Sequence, residues 1–336
     1  MAKLPEIASL WIGGELSWLE QLCLKSFADQ GHHITLYSYA PIPNLPKGVH
    51  AGDAAEIFPA DPMYRHAVTG SPAIHADLWR LHMLKKTDKI WVDCDVLCYR
   101  PFDYDQEHVF GWEKHNLVCN AVLGLPKDSP ALDSLMSFFD DEYAIGQWLK
   151  PHQQAALEAE RDAGRPVHMT QQDWGFTGPK AVTWFLKQSG EIEHAQKAAA
   201  FFAVTFKDRN HFIISRHNPE EKFTDKTRGV HLWARRLKPR LRDDENNKPR
   251  RGSFLDRMLK QHEISTKDAP IQPKTTKLFG SSEDPRFRAI LAIEALKGDE
   301  PVAQLAKNNN VEPHEIREWR TTLVRNAQKL FQEQRS

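Results

Sequence analysis

The stretch SPAIHADLWRLHMLKKTDKIWVDCDVLCYRP, Ser71 to Pro101, constrains the fold of the whole chain. Ser71 and Pro72 supply an N-cap and a first-turn proline, and Ile74, Leu78, Leu81 and Met83/Leu84 recur at helical spacing, so a helix is predicted. A polar turn, Lys85 to Lys89, leads into Ile90-Trp91-Val92, a short apolar run of the kind that fills the middle of a covered sheet. Asp93-Cys94-Asp95 closes that strand. Residues two apart in a strand face the same side, so both carboxylates are expected to point beyond the carboxyl edge of the sheet, where open α/β sheets bind ligands. Two adjacent carboxylates repel unless a cation or a shared proton lowers the cost. Oxygen ligands on a divalent ion that also holds phosphates suit Mg2+ or Mn2+, so the string reads as a metal–diphosphate site. A strand running into a solvated acidic turn is the alternative reading of the same residues.

Length and charge narrow the class. A chain of 336 residues can bury a sizeable core and has room for one large domain plus something extra. Lys plus Arg equals Asp plus Glu at 45 each, so no overall basic character points to nucleic acid. Cys23, Cys94, Cys98 and Cys119 show no C-x-x-C spacing, and no signal-like or 18-residue apolar run appears. The expectation is a cytoplasmic protein with buried thiols, against the alternative of a zinc site on Cys94 and Cys98.

In chain order, Ile7 to Ile12 is an apolar strand that breaks at Gly13-Gly14. Ser17 to Gln30 carries a capping box in Ser17 and Glu20 and ends at Gly31, which predicts a helix. His33 to Tyr39 is rich in β-formers, and the prolines and glycine from Pro41 to Gly48 make a surface connection. Strand, helix, strand, then the helix and strand of 71–101, indicate a parallel α/β sheet. Further on, Ser129-Pro130 opens a helix through Phe139, Gln153 to Ala163 is an exposed polar helix, and Gly178-Pro179 starts another. At the end of the first strand, Trp11 offers a flat stacking face, and the glycines after it let a ligand approach the backbone.

SLWIGGELSWLEQLCLKSF, AIHADLWRLHMLKK and KIWVDCDVLCYRPF together resemble the DXD-type sugar-nucleotide glycosyltransferases, which include lipopolysaccharide and capsule sugar transferases and, more distantly, the glucosylating bacterial toxins. The shared pattern is a strand ending W-I-G-G, a helix with D-x-x-R on one face, filled here by Asp77 and Arg80, and a strand ending D-x-D. Lys86-Thr87-Asp88 replaces the usual glycine pair before that last strand. LVCNAVLGLP, WGFTGPKAVTWFL and GVHLWARRL resemble later elements of the same family, and the likeness extends over roughly the first 240 residues. It implies a GT-A-like α/β domain with a single mixed sheet flanked by helices, and transfer of a hexose from a nucleotide sugar, a UDP-sugar, to a glycan or glycolipid acceptor with retention of configuration.

Carried over residue by residue, the resemblance puts Trp11, Ile12 and Gly13 at the nucleotide. Asp77 and Arg80 hold the donor sugar hydroxyls, Asn120 lies near the reacting carbon, Asp93 contacts ribose, and Asp93, Asp95 and His231 hold Mn2+ or Mg2+. His231 is one of 16 histidines, and neutral imidazole is an acceptable manganese ligand. The rival enzyme class is a phosphohydrolase of the haloacid dehalogenase type, in which Asp93 is the nucleophile and Asp140-Asp141 the later acidic pair.

ARRLKPRLRDDENNKPRRG, Ala234 to Gly252, holds eight basic residues and almost no apolar ones. Such a run reads as a solvated linker, expected over 241–282, or as a weak contact with an anionic membrane that would place the protein at its inner face. The last segment, 283–336, reads as three short helices. FRAILAIEALKGDEPVAQLAKNNNVEPHEIREWRTTLV resembles the helix-turn-helix of insertion-sequence transposases. From Asp284 onward nine basic side chains face eight acidic ones, a net of +1, which suits protein contact or a homodimer as well as DNA. A DNA-binding regulator with a degenerate transferase domain is the reading from outside enzymology.

Overall fold

The computed structural model describes residues 3–67, 69–272, 281–297, 300–327 and 329, which fall into two compact units. The first comprises the residues up to Tyr64 together with Pro72–Ile271; the second comprises Arg65–Ser71 and the described residues beyond Ile271.

The first unit is mixed α/β. Its elements run β1 (Ile7–Trp11), α1 (Trp18–Asp29), β2 (Ile34–Ser38), β3 (Val49–Asp53), α2 (Ala73–Lys86), β4 (Ile90–Val92), β5 (Val96–Cys98), β6 (Val109–Lys114) and β7 (Leu117–Gly124). There follow α3 (Pro130–Phe139), α4 (Pro151–Asp162), α5 (Pro179–Ser189), β8 (Gly229–His231), α6 (Ala234–Asp243) and α7 (Phe254–Gln261). Six strands form one sheet in the order β3-β2-β1-β4-β7-β6. The first four are parallel, while β7 runs antiparallel to both β4 and β6. β5 and β8 pair as a separate antiparallel ribbon.

The apolar strand runs are continuous because both sheet faces are covered. Ile7, Ile34, Ile90 and Val92 pack in one cluster with Leu24 and Phe27 of α1. Ala8, Leu10 and Trp91 pack in another with Leu78 and Trp79 of α2, Leu132 of α3 and Leu186 of α5. Pro72 is itself the N-cap of α2, one residue later than the sequence suggests. At its other end Thr87 closes the helix: its N–H and hydroxyl both donate to the Met83 carbonyl, at 2.9 and 2.8 Å. Strand β3 has no counterpart in the sequence reading, since only Val49 of its five residues is buried and nothing in VHAGD alternates.

The N-terminus of α3 is tied down by a distant carboxylate. Glu191 accepts from the Ala131 N–H at 2.7 Å and lies 3.0 Å from His108 Nε2. Burial works to raise its pKa, but the hydrogen bonds from Ser129, His108 and Ala131 outweigh it and hold the carboxyl below the usual glutamate range. A depressed carboxylate contributes stability above the unfolded-state pKa, about 4.3, and loses it as pH falls through the folded value. The melting temperature of the wild type should therefore exceed that of Glu191→Gln at pH 6, and the gap should close between pH 4.5 and pH 3. A gap that stays constant over that range would rule out the cap as the source.

The expected linker is folded as far as Ile271. Leu237, Leu241, Phe254, Leu255, Met258, Leu259, Ala269 and Ile271 are buried in one cluster with Trp18, Leu19 and Leu22 of α1. Asn247 pins the end of this segment: its side chain donates to the Ile271 carbonyl and accepts from the Ile271 N–H, while its backbone carbonyl accepts from Trp18 Nε1. The basic run misleads because several of its charges are paired, three of them within the run itself. Lys238 pairs with Glu20, Arg240 and Arg250 with Glu245, and Arg242 with Asp243, so the leucines between them are free to face inward. Residues 273–280 of the expected linker lie outside the described residues.

In the second unit, α8 (Pro285–Lys297), α9 (Val302–Asn308) and α10 (Pro313–Asn326) bury Phe287, Ile290, Leu291, Leu305, Ala306 and Ile316 together, as the three-helix expectation has it. Asn310 takes φ +52° in the turn between α9 and α10. No helix among the described residues is long and apolar enough to cross a membrane.

Candidate metal and ligand site at the carboxyl end of β4

The two aspartates meet through a turn. Strand β4 ends at Val92; the Asp93 N–H still donates to Ala121 of β7, and the Val96 N–H then returns to the Asp93 carbonyl at 3.0 Å. Asp93-Cys94-Asp95 is thus the corner between β4 and β5, which corrects the expectation of two side chains on one face of a strand. The third member arrives by register. β5 pairs with β8 so that His231 stands opposite Val96, and the Leu232 N–H donates to the Asp95 carbonyl at 2.9 Å. Ligand atoms of Asp93, Asp95 and His231 all lie within 4.8 Å of one another, and they are the one such group of His, Cys, Asp and Glu among the described residues.

After His231 the chain turns sharply. Trp233 adopts φ +58°, ψ +43°, a left-handed conformation that costs a bulky residue of order 1–3 kcal/mol. The turn aims the first N–H of α6 at the site: Ala234 N donates to Asp95 Oδ2 at 2.8 Å. Asp95 is therefore held by a helix N-terminus on one oxygen, while His231 Nε2 stands 3.3 Å from the other.

Beside this corner lies a second, drier group. Arg80 Nη2 is 3.3 Å from Asp77 and 3.5 Å from Asp93, and its Nη1 donates to the Asn120 carbonyl at 2.5 Å. The guanidinium also covers the Trp91 ring at 4.5 Å, and Trp91 Nε1 donates to Asp93 at 2.8 Å. Asp77 accepts from Asn120 Nδ2 at 3.0 Å and from the Thr177 hydroxyl at 2.7 Å. Gly178 follows, where an added Cβ would stand 3.3 Å from Asp77 Oδ2. The Asn120 side chain is thus turned to Asp77 and is 6% exposed.

The charges are unbalanced. Burial, with the neighbouring Asp95 charge, pushes Asp93 above the usual carboxylate range against the pull of Arg80. Burial acts the same way on Asp95, but His231 and the Ala234 N–H more than offset it and hold that carboxyl low. Burial alone would depress His231; Asp95 outweighs it and raises the imidazole. His231 Nδ1 is also buried without a hydrogen-bond partner. Two carboxylate oxygens and an imidazole nitrogen within 4.8 Å of one another fit a divalent cation. The 3.3 Å between His231 Nε2 and Asp95 Oδ1 is long for a hydrogen bond but close to the roughly 3 Å between adjacent ligands on an octahedral ion.

Trp11, at the end of β1, neighbours this corner through Leu10, whose carbonyl faces Cys94 Sγ at 3.5 Å. Its Nε1 donates to the Gly14 carbonyl at 2.9 Å, and Lys238 Nζ stands 5.6 Å from its ring. Gly13 serves the tryptophan itself, because a Cβ there would lie 3.1 Å from the indole nitrogen. Ile12 packs on the edge of the core. Asp140 caps the end of α3 and Asp141 accepts from the Tyr143 N–H, so neither joins Asp93 as the phosphohydrolase reading requires. The four cysteines are free thiols; burial raises all four, and Cys94 and Cys98 belong to no metal-capable group among the described residues.

Sequence reasoning missed Thr177, Trp91 and the Ala234 N–H as partners of the acidic groups. Thr177 lies 100 residues from Asp77 in the chain, and only the WGFTGP string around it hinted at a role. Compared with known proteins, the sequence matches no family model and no curated protein.

Proposed function

We propose that the first unit is a GT-A-like, metal-dependent glycosyltransferase that moves a hexose from a UDP-sugar to a glycan-type acceptor with retention of configuration. The observation that carries this reading is the convergence of Asp93, Asp95 and His231 at the carboxyl end of a central strand, next to the Asp77–Arg80 pair. A mixed six-stranded sheet with turns after β1 and β4 at the carboxyl ends of its strands suits such a domain.

Asp93, Asp95 and His231 would hold Mn2+ or Mg2+, which when bound neutralises charge developing on the diphosphate leaving group. Asp77 accepts from Asn120 and Thr177 and pairs with Arg80, and its remaining acceptor capacity would take a donor-sugar hydroxyl. Arg80 pairs with Asp77 and Asp93 and fixes both side chains in place, so neither reorganises as charge moves. Trp11 offers its ring to the uracil base.

Thermal denaturation tests the reading. A ligand at 100 times its Kd stabilises by about 2.7 kcal/mol, which for a domain of this size is a rise of about 5–10 °C. UDP with Mn2+ should give such a rise, and UDP with EDTA should give a small fraction of it. A nucleotide shift indifferent to the metal, or none at all, would refute the proposal.

A further inference from the structure

Tyr143, Trp174 and Phe206 are the exposed large aromatic side chains among the described residues, at 46%, 43% and 43%. Two of them sit on segments that lead to the candidate cation site. Trp174 is three residues before Thr177, which holds Asp77, and its ring is covered at 4.0 Å by the guanidinium of Arg235, the residue after Ala234, which holds Asp95. The Trp174–Arg235 contact therefore joins the two chain segments that grip the two acidic groups. Phe206 is reached along a row of rings: His231 meets Trp233 at 4.2 Å between centroids, and Trp233 meets Phe206 at 5.7 Å. Phe206 is likewise capped by a guanidinium, Arg209, at 4.4 Å. Trp233 is anchored between them by its Nε1 bond to the Val204 carbonyl, 3.1 Å.

An exposed ring with an arginine laid on it is suited to a pyranose. The flat π face packs against the C–H face of the sugar, and the guanidinium supplies fixed N–H donors for its hydroxyls. One such unit on the segment that holds Asp77 and a second beyond Trp233 make more than one subsite. Resting on the transferase reading above, we propose that Trp174 and Phe206 are stacking platforms for the acceptor, and that the acceptor is an oligosaccharide of at least two pyranose units. A lone monosaccharide or a small alcohol would leave one platform uncovered.

A printed array of defined oligosaccharides, probed with the labelled full chain in Mn2+ and UDP, tests this. The wild type should be retained on a subset of oligosaccharides of two or more units and not on the monosaccharide spots. Trp174→Ala and Phe206→Ala should each lower that retention tenfold or more, with circular dichroism showing each variant folded, and Trp174→Tyr should restore part of it. Tyr143→Ala removes an exposed ring that contacts His168 and should bind as the wild type does. Retention on no oligosaccharide, or alanine variants that bind like the wild type, would overturn the assignment. Calorimetric titration of the wild type with UDP and Mn2+ separates the two levels: if UDP does not bind, the transferase reading falls as well, whereas UDP binding with indifferent alanine variants removes the acceptor platforms alone.

Discussion

Asp95→Asn should abolish Mn2+-dependent release of UDP from a UDP-sugar, with kcat/KM falling by about a thousandfold or more. The estimate follows from charge. Metal-ion stabilisation of a leaving group is worth several kcal/mol, and about 4 kcal/mol corresponds to a factor of a thousand. Asparagine is nearly isosteric, and its Oδ1 can still accept from the Ala234 N–H, so α6 keeps its cap and the fold should persist. What is lost is the anionic oxygen 3.3 Å from His231. Initial rates of UDP release over a Mn2+ titration, with circular dichroism as the folding control, measure the effect. A variant turning over at the wild-type rate would remove Asp95 from the cation site and leave the proposed activity without its leading support.

The second large effect is structural. Arg80 is 7% exposed in its side chain and faces Asp77, Asp93 and the Asn120 carbonyl at once. Arg80→Met keeps the bulk of the side chain and deletes the cation, leaving two carboxylates and a carbonyl oxygen without their partner. Removing one member of a buried ion pair costs about 3–5 kcal/mol; with Asp93 still 32% exposed, a value of about 3 kcal/mol is expected. Arg80→Lys should recover part of this, because a single ammonium restores the charge but cannot reach three groups in a fixed fork. Urea unfolding of the three proteins measures it. A methionine variant within about 1 kcal/mol of the wild type would show that Arg80 does not hold the acidic pair together.

The parts of this protein that were legible in its sequence are those written locally. Ser17 and Glu20 marked the start of α1, and the structure has the Ser17 N–H donating to Glu20 at 3.1 Å. The 3.6-residue recurrence from Ile74 to Leu84 gave α2, and the polar surface of 153–163 gave α4, which buries none of its residues. The proximity of Asp93 and Asp95 was also foreseen, though by a pleat where a turn supplies it. What stayed hidden depends on register between distant segments. Nothing near His231 says that it will stand opposite Val96, and only the family likeness singled it out from the other histidines. Charge density misled in the same way: between Ala234 and Ile271 the leucines and phenylalanine that matter are spaced for burial, but arginines paired with nearby glutamate and aspartate dominate the composition. Periodicity reads the face of one helix and is blind to which other element will cover it.

The link from Ala234 to Asp95 spans 139 residues of chain. A chain emerging from the ribosome can form the early strands and the acidic corner long before the histidine that completes the triad has been made. In that interval the corner has neither its imidazole nor the helix end that cradles it, and nothing is ready to grip an ion. Such long-range closure is slow to form and comes late in assembly. Affinity at the proposed cation site would thus register whether β8 and the start of α6 have closed onto the corner, since a chain halted or mispaired before His231 and Ala234 would lack it.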